Sequence, residues 1–376
     1  MTDKTLIEQT ARKYIEKLVL TSKSMRPRWN RENYIFRKQS KWNYMDSCMI
    51  RALLMFGNEN YNKYAVEFTD SYVEEDGRIP TMNVLDYNLD NVCGGVNLIK
   101  LYELTGNERY RLAYERIYNE QLMNHPRLKC GSFWHKAIYP NQMWLDGAYM
   151  VLPFMAMYGR IKNDKSIICD AINQAMNIRN IMHDNQTGLY YHGYDETKNM
   201  FWADKETGLS SQFWLRSNGW LCAGLADLYE ITEDKKVGVM LREHIASLSH
   251  YLTNEGMLLQ LPSRSELAGN YPETSGTLLY AYSTMKGYSL GAVDESAAEN
   301  GERALLTVTE KYIDRSGDVP VLRNICLMGG LGGANSRDGS AEYYLSERVV
   351  ENEAKGIAPY LMATAELIET YWGRPF

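Results

Sequence analysis

The feature that most constrains this chain is the alternation in its connections. Apolar residues recur at helical spacing almost throughout, and the spacing predicts helices over 3–21, 42–56, 60–75, 91–104, 108–123, 142–158, 164–182, 212–231, 235–251, 274–286, 295–314 and 355–371. After the even-numbered helices the links are short: Phe56-Gly57-Asn58-Glu59, Leu104-Thr105-Gly106-Asn107 and Ile231-Thr232-Glu233-Asp234. Each offers a Gly or Thr stop and then a polar N-cap for the next helix. After the odd-numbered helices the links are long, at 76–90, 124–141, 183–211, 252–273 and 315–354. Long structureless loops are unusual in compact domains unless they build a site. Helices joined in this way form six antiparallel pairs, with every long link at one end. The expected fold is therefore all-α, an (α/α)6 barrel with the even, more apolar helices inside. Pro153 falls within the sixth helix and should bend it, since it removes a backbone hydrogen bond. Strand signals are few: Leu189-Tyr190-Tyr191-His192 and Leu258-Leu259-Gln260-Leu261 suit short hairpin pieces. No Pro/Ser linker or charge block divides the chain, so one domain is expected over 1–376, with a two-domain all-α arrangement as the alternative.

Composition narrows the function. With 41 Lys+Arg against 47 Asp+Glu the net charge is −6, which argues against a nucleic-acid partner. The longest apolar stretch, Ala148 to Met157, is too short to span a bilayer, so no membrane partner is expected. Met1-Thr2-Asp3-Lys4 leads into an amphipathic pattern without a signal-peptide core. The six cysteines are scattered without a C-x-x-C pair, as buried, reduced thiols would be; together these point to the cytoplasm. The 28 Tyr and 8 Trp suit a cleft for something flat-faced and hydroxylated, such as a sugar.

In a ring, residues just before or in the first turn of each inner helix face the pocket. Helix two opens with Trp42-Asn43-Tyr44, helix four with Leu89-Asp90-Asn91, helix six with Tyr139-Pro140-Asn141-Gln142-Met143-Trp144-Leu145-Asp146-Gly147, and helix eight with Phe213-Trp214-Leu215-Arg216-Ser217-Asn218-Gly219-Trp220. The preceding loops add Trp134-His135-Lys136 and Tyr190-Tyr191-His192. Each residue has a plain structural reading. Asp90 suits an N-cap, and Asp146 could complement a helix dipole. Arg216 could pair with Glu206 or Asp204 at the surface. His135 and His192 could be satisfied buried imidazoles, and Trp214 and Trp220 core. Their coincidence at one end marks a site, and Asp146 stands out singly because Trp144 and Leu145 set a charge in apolar bulk. Two motifs mislead. Gly287-Tyr288-Ser289-Leu290-Gly291 matches the nucleophile-elbow pattern but lies between two helices at the short-link end. Gly329-Gly330-Leu331-Gly332-Gly333 lacks the Lys of a phosphate loop and better serves close approach to a ligand. No His/Cys cluster has metal spacing, so neither metal nor cofactor is expected.

These runs, with Tyr191-His192-Gly193-Tyr194-Asp195-Glu196 and the stretch from Gly332 through Tyr343-Tyr344-Leu345-Ser346 to Glu347, resemble the unsaturated rhamnogalacturonyl hydrolases of glycoside hydrolase family 105. The likeness extends from about Trp42 to Ala365 and, more distantly, to the unsaturated glucuronyl hydrolases of family 88. It implies an (α/α)6 barrel, no metal, and a small oligosaccharide substrate carrying a 4,5-unsaturated uronic acid left by a polysaccharide lyase. By that resemblance Asp146 matches the general acid/base and Asp90 the second carboxylate. Tyr44, His135, Lys136, His192, Trp214, Arg216 and Trp220 match substrate-contacting positions. The implied chemistry suits the residue types. Protonating C4 of the vinyl ether creates an oxocarbenium-like C5, water adds there, and one carboxyl serves both steps. Apolar packing by Trp144 and the charge of Asp90 should favour the protonated acid against the helix N-terminus. Arg216 offers a planar fork for the uronate, and Trp214 or Trp220 a face for the ring. Alternatives are a glucuronyl hydrolase, an ordinary inverting glycosidase using the same Asp pair, an epimerase using the two histidines, and a non-catalytic sugar-binding toroid.

Overall fold

Helical periodicity and polar caps set the architecture of the computed structural model, which describes residues 3–333 and 337–371. Helix α1 (Asp3–Tyr14) and the short α2 (Arg31–Ile35) come first. Five hairpins follow: α3 (Tyr44–Met55) with α4 (Glu59–Asp70), α5 (Gly94–Thr105) with α6 (Glu108–Arg116), α7 (Gly147–Ile161) with α8 (Lys165–Met182), α9 (Leu215–Thr232) with α10 (Lys235–His250), and α11 (Thr274–Ser289) with α12 (Glu295–Thr307). The short α13 (Ala341–Ser346) and then α14 (Ala354–Ala365) complete the chain. Single π-helical turns extend α1 to Val19, α6 to Gln121, α12 to Tyr312 and α14 to Tyr371.

The short turns work as their sequences require. Gly57 and Gly106 take the left-handed conformation at φ +61° and +66°, where a Cβ would be strained. Asn58, Asn107 and Asp234 then cap the following helices through their side-chain oxygens. Inner helices pack in a closed circuit, α3 on α5, then α7, α9, α11, α14 and back onto α3. Helix α1 fills the last outer position, against α14 and α12. The fold is thus the expected (α/α)6 barrel, its sixth pair made from the two ends of the chain. Inner helices bury nearly every residue, as in α11 and α14, whereas outer ones such as α8 bury a single stripe. Close approach in the ring needs glycine: a Cβ on Gly224 of α9 would lie 3.0 Å from the backbone of Tyr149 in α7.

Three expectations are corrected. The sixth helix does not begin at 142: strand β1 (Gln142–Trp144) pairs antiparallel with β2 (Gly193–Asp195), and α7 starts at Gly147. Backbone groups there are claimed by loops, with His135 N–H donating to Gln142 O (2.8 Å) and Leu145 N–H to His192 O (2.9 Å). The strand signals at 189–192 and 258–261 yield only the isolated bridges His183–Tyr190 and Leu259–Pro272. Cys130 and Cys169 are exposed rather than buried, although all six thiols are free.

Toward the short-turn end, the inner helices are crosslinked by a buried charged network. Lys286 Nζ meets Asp227 (2.7 Å) and Glu230 (2.8 Å), Tyr282 donates to Asp227 (2.5 Å), and Arg51 reaches it at 3.4 Å. Below this network a cavity of about 600 Å³ opens at the short-turn end, lined by residues including Arg51, Lys100, Arg160 and Glu230.

Candidate active site

At the opposite end every long connection delivers side chains to one place. Asp90 lies in a 3-10 turn (Leu89–Cys93) that leads into α5. It is not the cap of that turn: Asn88 is, accepting from Asp90 N–H at 3.1 Å. Asp90 instead accepts from Lys136 Nζ at 2.5 Å, with His135 Nε2 at 3.8 Å. Burial alone would raise its carboxyl, but the Lys136 ammonium overcomes that and holds it below the usual carboxylate range. Burial opposes the Lys136 ammonium too, and Asp90 more than restores it. His135, 3% exposed, is driven by burial down to about 3 and stays neutral. Its ring stacks on Trp144 (centroids 4.6 Å), which in turn stacks on Tyr139 (4.5 Å).

Asp146 precedes α7 without capping it. Its Oδ2 meets His192 Nε2 at 3.0 Å, and His192 Nδ1 meets the Tyr344 hydroxyl at 2.6 Å. The two carboxylates therefore differ: Asp90 is clamped by a cation, Asp146 by an imidazole. Because Lys136 neutralises Asp90, its charge bears on Asp146 less than expected.

Arg216, in the first turn of α9, is 1% exposed and far from a surface pair with Glu206 or Asp204. Its Nη2 donates to the Cys326 carbonyl, and the guanidinium lies over Trp214 at 4.9 Å. Among the described residues Nε and Nη1 have no partner. Burial opposes the charge, and the nearby Cys326 and Glu273 raise Arg216 above its ordinary value. Trp214 and Trp220 are 2% and 1% exposed. Trp214 is enclosed by Arg216, Tyr344 and Gly329, and Trp220 by Tyr44 and Tyr149. Neither offers an open face for a ring; they are walls, and half-buried Tyr44 is the more accessible aromatic. In the glycine run, Gly329 admits Trp214, since a Cβ there would lie 2.7 Å from the indole; Ala334, Asn335 and Ser336 fall outside the described residues. All nine residues singled out from the sequence thus gather at this end, in four contact groups: Asp90 with His135 and Lys136, Asp146 with His192, Arg216 with Trp214, and Tyr44 with Trp220.

Sequence reasoning missed Lys355, 2% exposed in the first turn of α14, which binds Glu32 (2.6 Å) and Glu353 (3.0 Å). Burial opposes Lys355, but these carboxylates and Tyr44 raise it above its ordinary value, with Arg216 near enough to repel it. The rule that selected the other positions, the first turn of an inner helix, would have found it if carried to the last helix. Tyr344 and Gln260, which accepts from Trp214 Nε1 at 3.1 Å, carried no such signal. Among the described residues no group of three or more His, Cys, Asp or Glu is arranged to hold a metal ion, and no helix is long and apolar enough to cross a membrane.

The Glycosyl Hydrolase Family 88 model matches residues 14–371. A solved family 105 glycoside hydrolase from C. acetobutylicum is 33% identical, with TM-score 0.85 over 96% of this chain and 98% of that one. The unsaturated rhamnogalacturonyl hydrolase YesR of Bacillus subtilis is 25% identical over 210 residues, which is 53% of this chain and 57% of that protein. The unsaturated glucuronyl hydrolase of Bacillus sp. GL1, described as responsible for the degradation of glycosaminoglycan, is 12% identical with TM-score 0.68 over 97% and 96% of the two chains, a likeness of fold alone.

Proposed function

The chain belongs to the glycosyl hydrolases of families 88 and 105, and we propose that it releases the 4,5-unsaturated galacturonyl residue from the non-reducing end of lyase-generated rhamnogalacturonan oligosaccharides. It is a glycoside hydrolase, and on this reading 1–376 form one catalytic domain working in the cytoplasm, where free thiols persist. The observation that carries the mechanism is the unequal clamping of the two carboxylates. Asp90, paired with Lys136 at 2.5 Å and held ionised, is a poor proton acceptor and acts as a fixed charge. Asp146 is left as the one carboxyl able to give a proton and take one back.

Asp146 delivers its proton to C4 as the C4–C5 double-bond pair forms the new C–H bond, leaving C5 an oxocarbenium stabilised by the ring oxygen. Water adds to C5 and returns a proton to Asp146. The hemiketal opens by breaking the C5–ring-oxygen bond, and the hemiacetal left at C1 expels the aglycone. Arg216, with Nε and Nη1 unpartnered in the protein, supplies the cation for the uronate and a charge-assisted hydrogen bond to it. His135, Lys136, His192, Tyr44, Trp214 and Trp220 frame the ring. Support for the rhamnogalacturonan aglycone comes from the likeness to YesR. An inverting glycosidase would need Asp90 as a base, and its lysine clamp argues against that.

The test is turnover of a lyase-generated unsaturated rhamnogalacturonan disaccharide in deuterium oxide, followed by loss of the enol-acid ultraviolet absorbance. Early product is expected to carry carbon-bound deuterium at C4 on one face, because a fixed carboxyl reaches only one face. An inverting glycosidase would add no carbon-bound label. Product merely incubated in deuterium oxide controls for enolisation, and unlabelled early product would overturn the mechanism.

A further inference from the structure

Tyr344 enters the site on α13, from the last long connection. Ser340 caps that helix, accepting from Tyr343 N–H at 3.1 Å. The Tyr344 ring lies nearly parallel to Trp214 (19°, centroids 5.9 Å), and its carbonyl accepts from Gln260 Nε2 at 3.1 Å. Gln260 also holds the Trp214 indole, so ring and backbone are fixed together. The side chain is fully buried, and its hydroxyl contacts His192 Nδ1 at 2.6 Å. A buried hydroxyl that fails to donate leaves its desolvation uncompensated. Burial, helped by Tyr343 and Asp146, holds the phenol well above its ordinary value, so it keeps its proton and has it to give.

We propose that Tyr344 is a positioning residue that fixes the tautomer of His192 and thereby decides which oxygen of Asp146 carries the transferable proton. When Tyr344 donates to Nδ1, that nitrogen is an acceptor and the neutral ring bears its hydrogen on Nε2. Nε2–H then donates to Asp146 Oδ2 across 3.0 Å. With Oδ2 occupied as an acceptor, the mobile proton resides on Oδ1, free to leave for carbon. The other tautomer reverses this: a bare Nε2 would draw the acid proton of Asp146 into a hydrogen bond with the imidazole. This inference rests on the reading of Asp146 as the acid.

Selective 15N-histidine labelling of the wild-type protein reads the tautomer directly, with the His192 signals assigned by their disappearance in His192→Gln. The expected pattern is a protonated Nε2 and a bare Nδ1. In Tyr344→Phe, which keeps the ring on Trp214, the pattern should shift toward a mixture. Its kcat should fall about 10- to 100-fold with KM within about twofold, since a wrong tautomer impairs proton transfer rather than binding. A wild-type His192 protonated on Nδ1 overturns the proposal, and this needs no variant to fold. So does a Tyr344→Phe enzyme with wild-type kcat. Failure of the functional reading looks different: wild-type protein would leave unsaturated uronides untouched while the tautomer pattern stood.

Discussion

Replacing Arg216 by Met separates binding from stability, because the structure assigns the two effects opposite signs. Met matches the length of the stem without charge. In the free protein the guanidinium is 1% exposed, with one nitrogen bonded to the Cys326 carbonyl and two unpartnered. Against substrate, losing one charge-assisted hydrogen bond removes about 1.5–3 kcal/mol. KM should therefore rise about 10- to 10²-fold. In the free protein, removing two unsatisfied donors relieves about 1–3 kcal/mol apiece. Against this stand the orphaned Cys326 carbonyl, about 1–3 kcal/mol, and the contact with Trp214, about 0.5–2 kcal/mol. Central values leave the variant more stable by about 1 kcal/mol, which for a chain of this length raises Tm by roughly 1 °C. Steady-state loss of enol-acid absorbance gives KM, and thermal melts followed by circular dichroism give Tm. An unchanged KM with Tm lowered by several degrees would make Arg216 a structural residue and refute the reasoning.

Asp146→Asn should lower kcat at least about 10³-fold while calorimetric affinity for the unsaturated disaccharide stays within about tenfold; affinity lost in proportion to rate would make it a binding residue. Lys136→Met leaves Asp90 a largely buried, unpaired carboxylate and should destabilise by about 3 kcal/mol, with Tm recovering in the Lys136→Met/Asp90→Asn double variant. No recovery would mean that Lys136 stabilises through packing. Acid should unfold the protein early. Burial holds His125, His135 and His244 down to about 4, 3 and 4, below the unfolded value of about 6.5. The unfolded chain thus takes up more protons, and stability complete above pH 6.5 is lost as pH falls toward 4. Asp46, raised by burial to about 6, binds its proton sooner when folded and offsets one histidine. The net slope is about 3 kcal/mol per pH unit between pH 6 and 4. Melts showing a flat Tm across that range would contradict it.

The helical pairs were legible because caps and periodicity are local: Asn58, Asn107 and Asp234 do in the fold what their positions announce. The rule that inner-helix first turns face the pocket carried most of the site with it. What escaped was non-local. Met143 and Leu145 read as the start of a helix until residues 193–195 arrive to pair with 142–144, since short apolar runs do not distinguish the two periods. Trp214 and Trp220 read as open sugar platforms, but whether an aromatic face is free depends on Arg216, Tyr344 and Tyr149, which approach from other helices and loops. The Lys355–Glu32 pair spans 323 residues and has no local signature.

Pairing the first outer helix with the last inner one has a consequence for synthesis. Ile7, Ala11, Tyr14 and Ile15 of α1 and its π-helical extension are fully buried only in the finished ring, with Tyr14 edge-on to Tyr360 of α14 at 5.9 Å. About 350 residues separate the two, and ribosomes add about 5–20 residues per second. The apolar face of α1 therefore waits roughly 20–70 s for its partner to be made, while the five internal hairpins emerge in order. Those hairpins can stack as they appear, but the circle closes only after release of the C-terminal helix. Chaperone demand should concentrate in that interval, on the two uncovered flanks of an open arc.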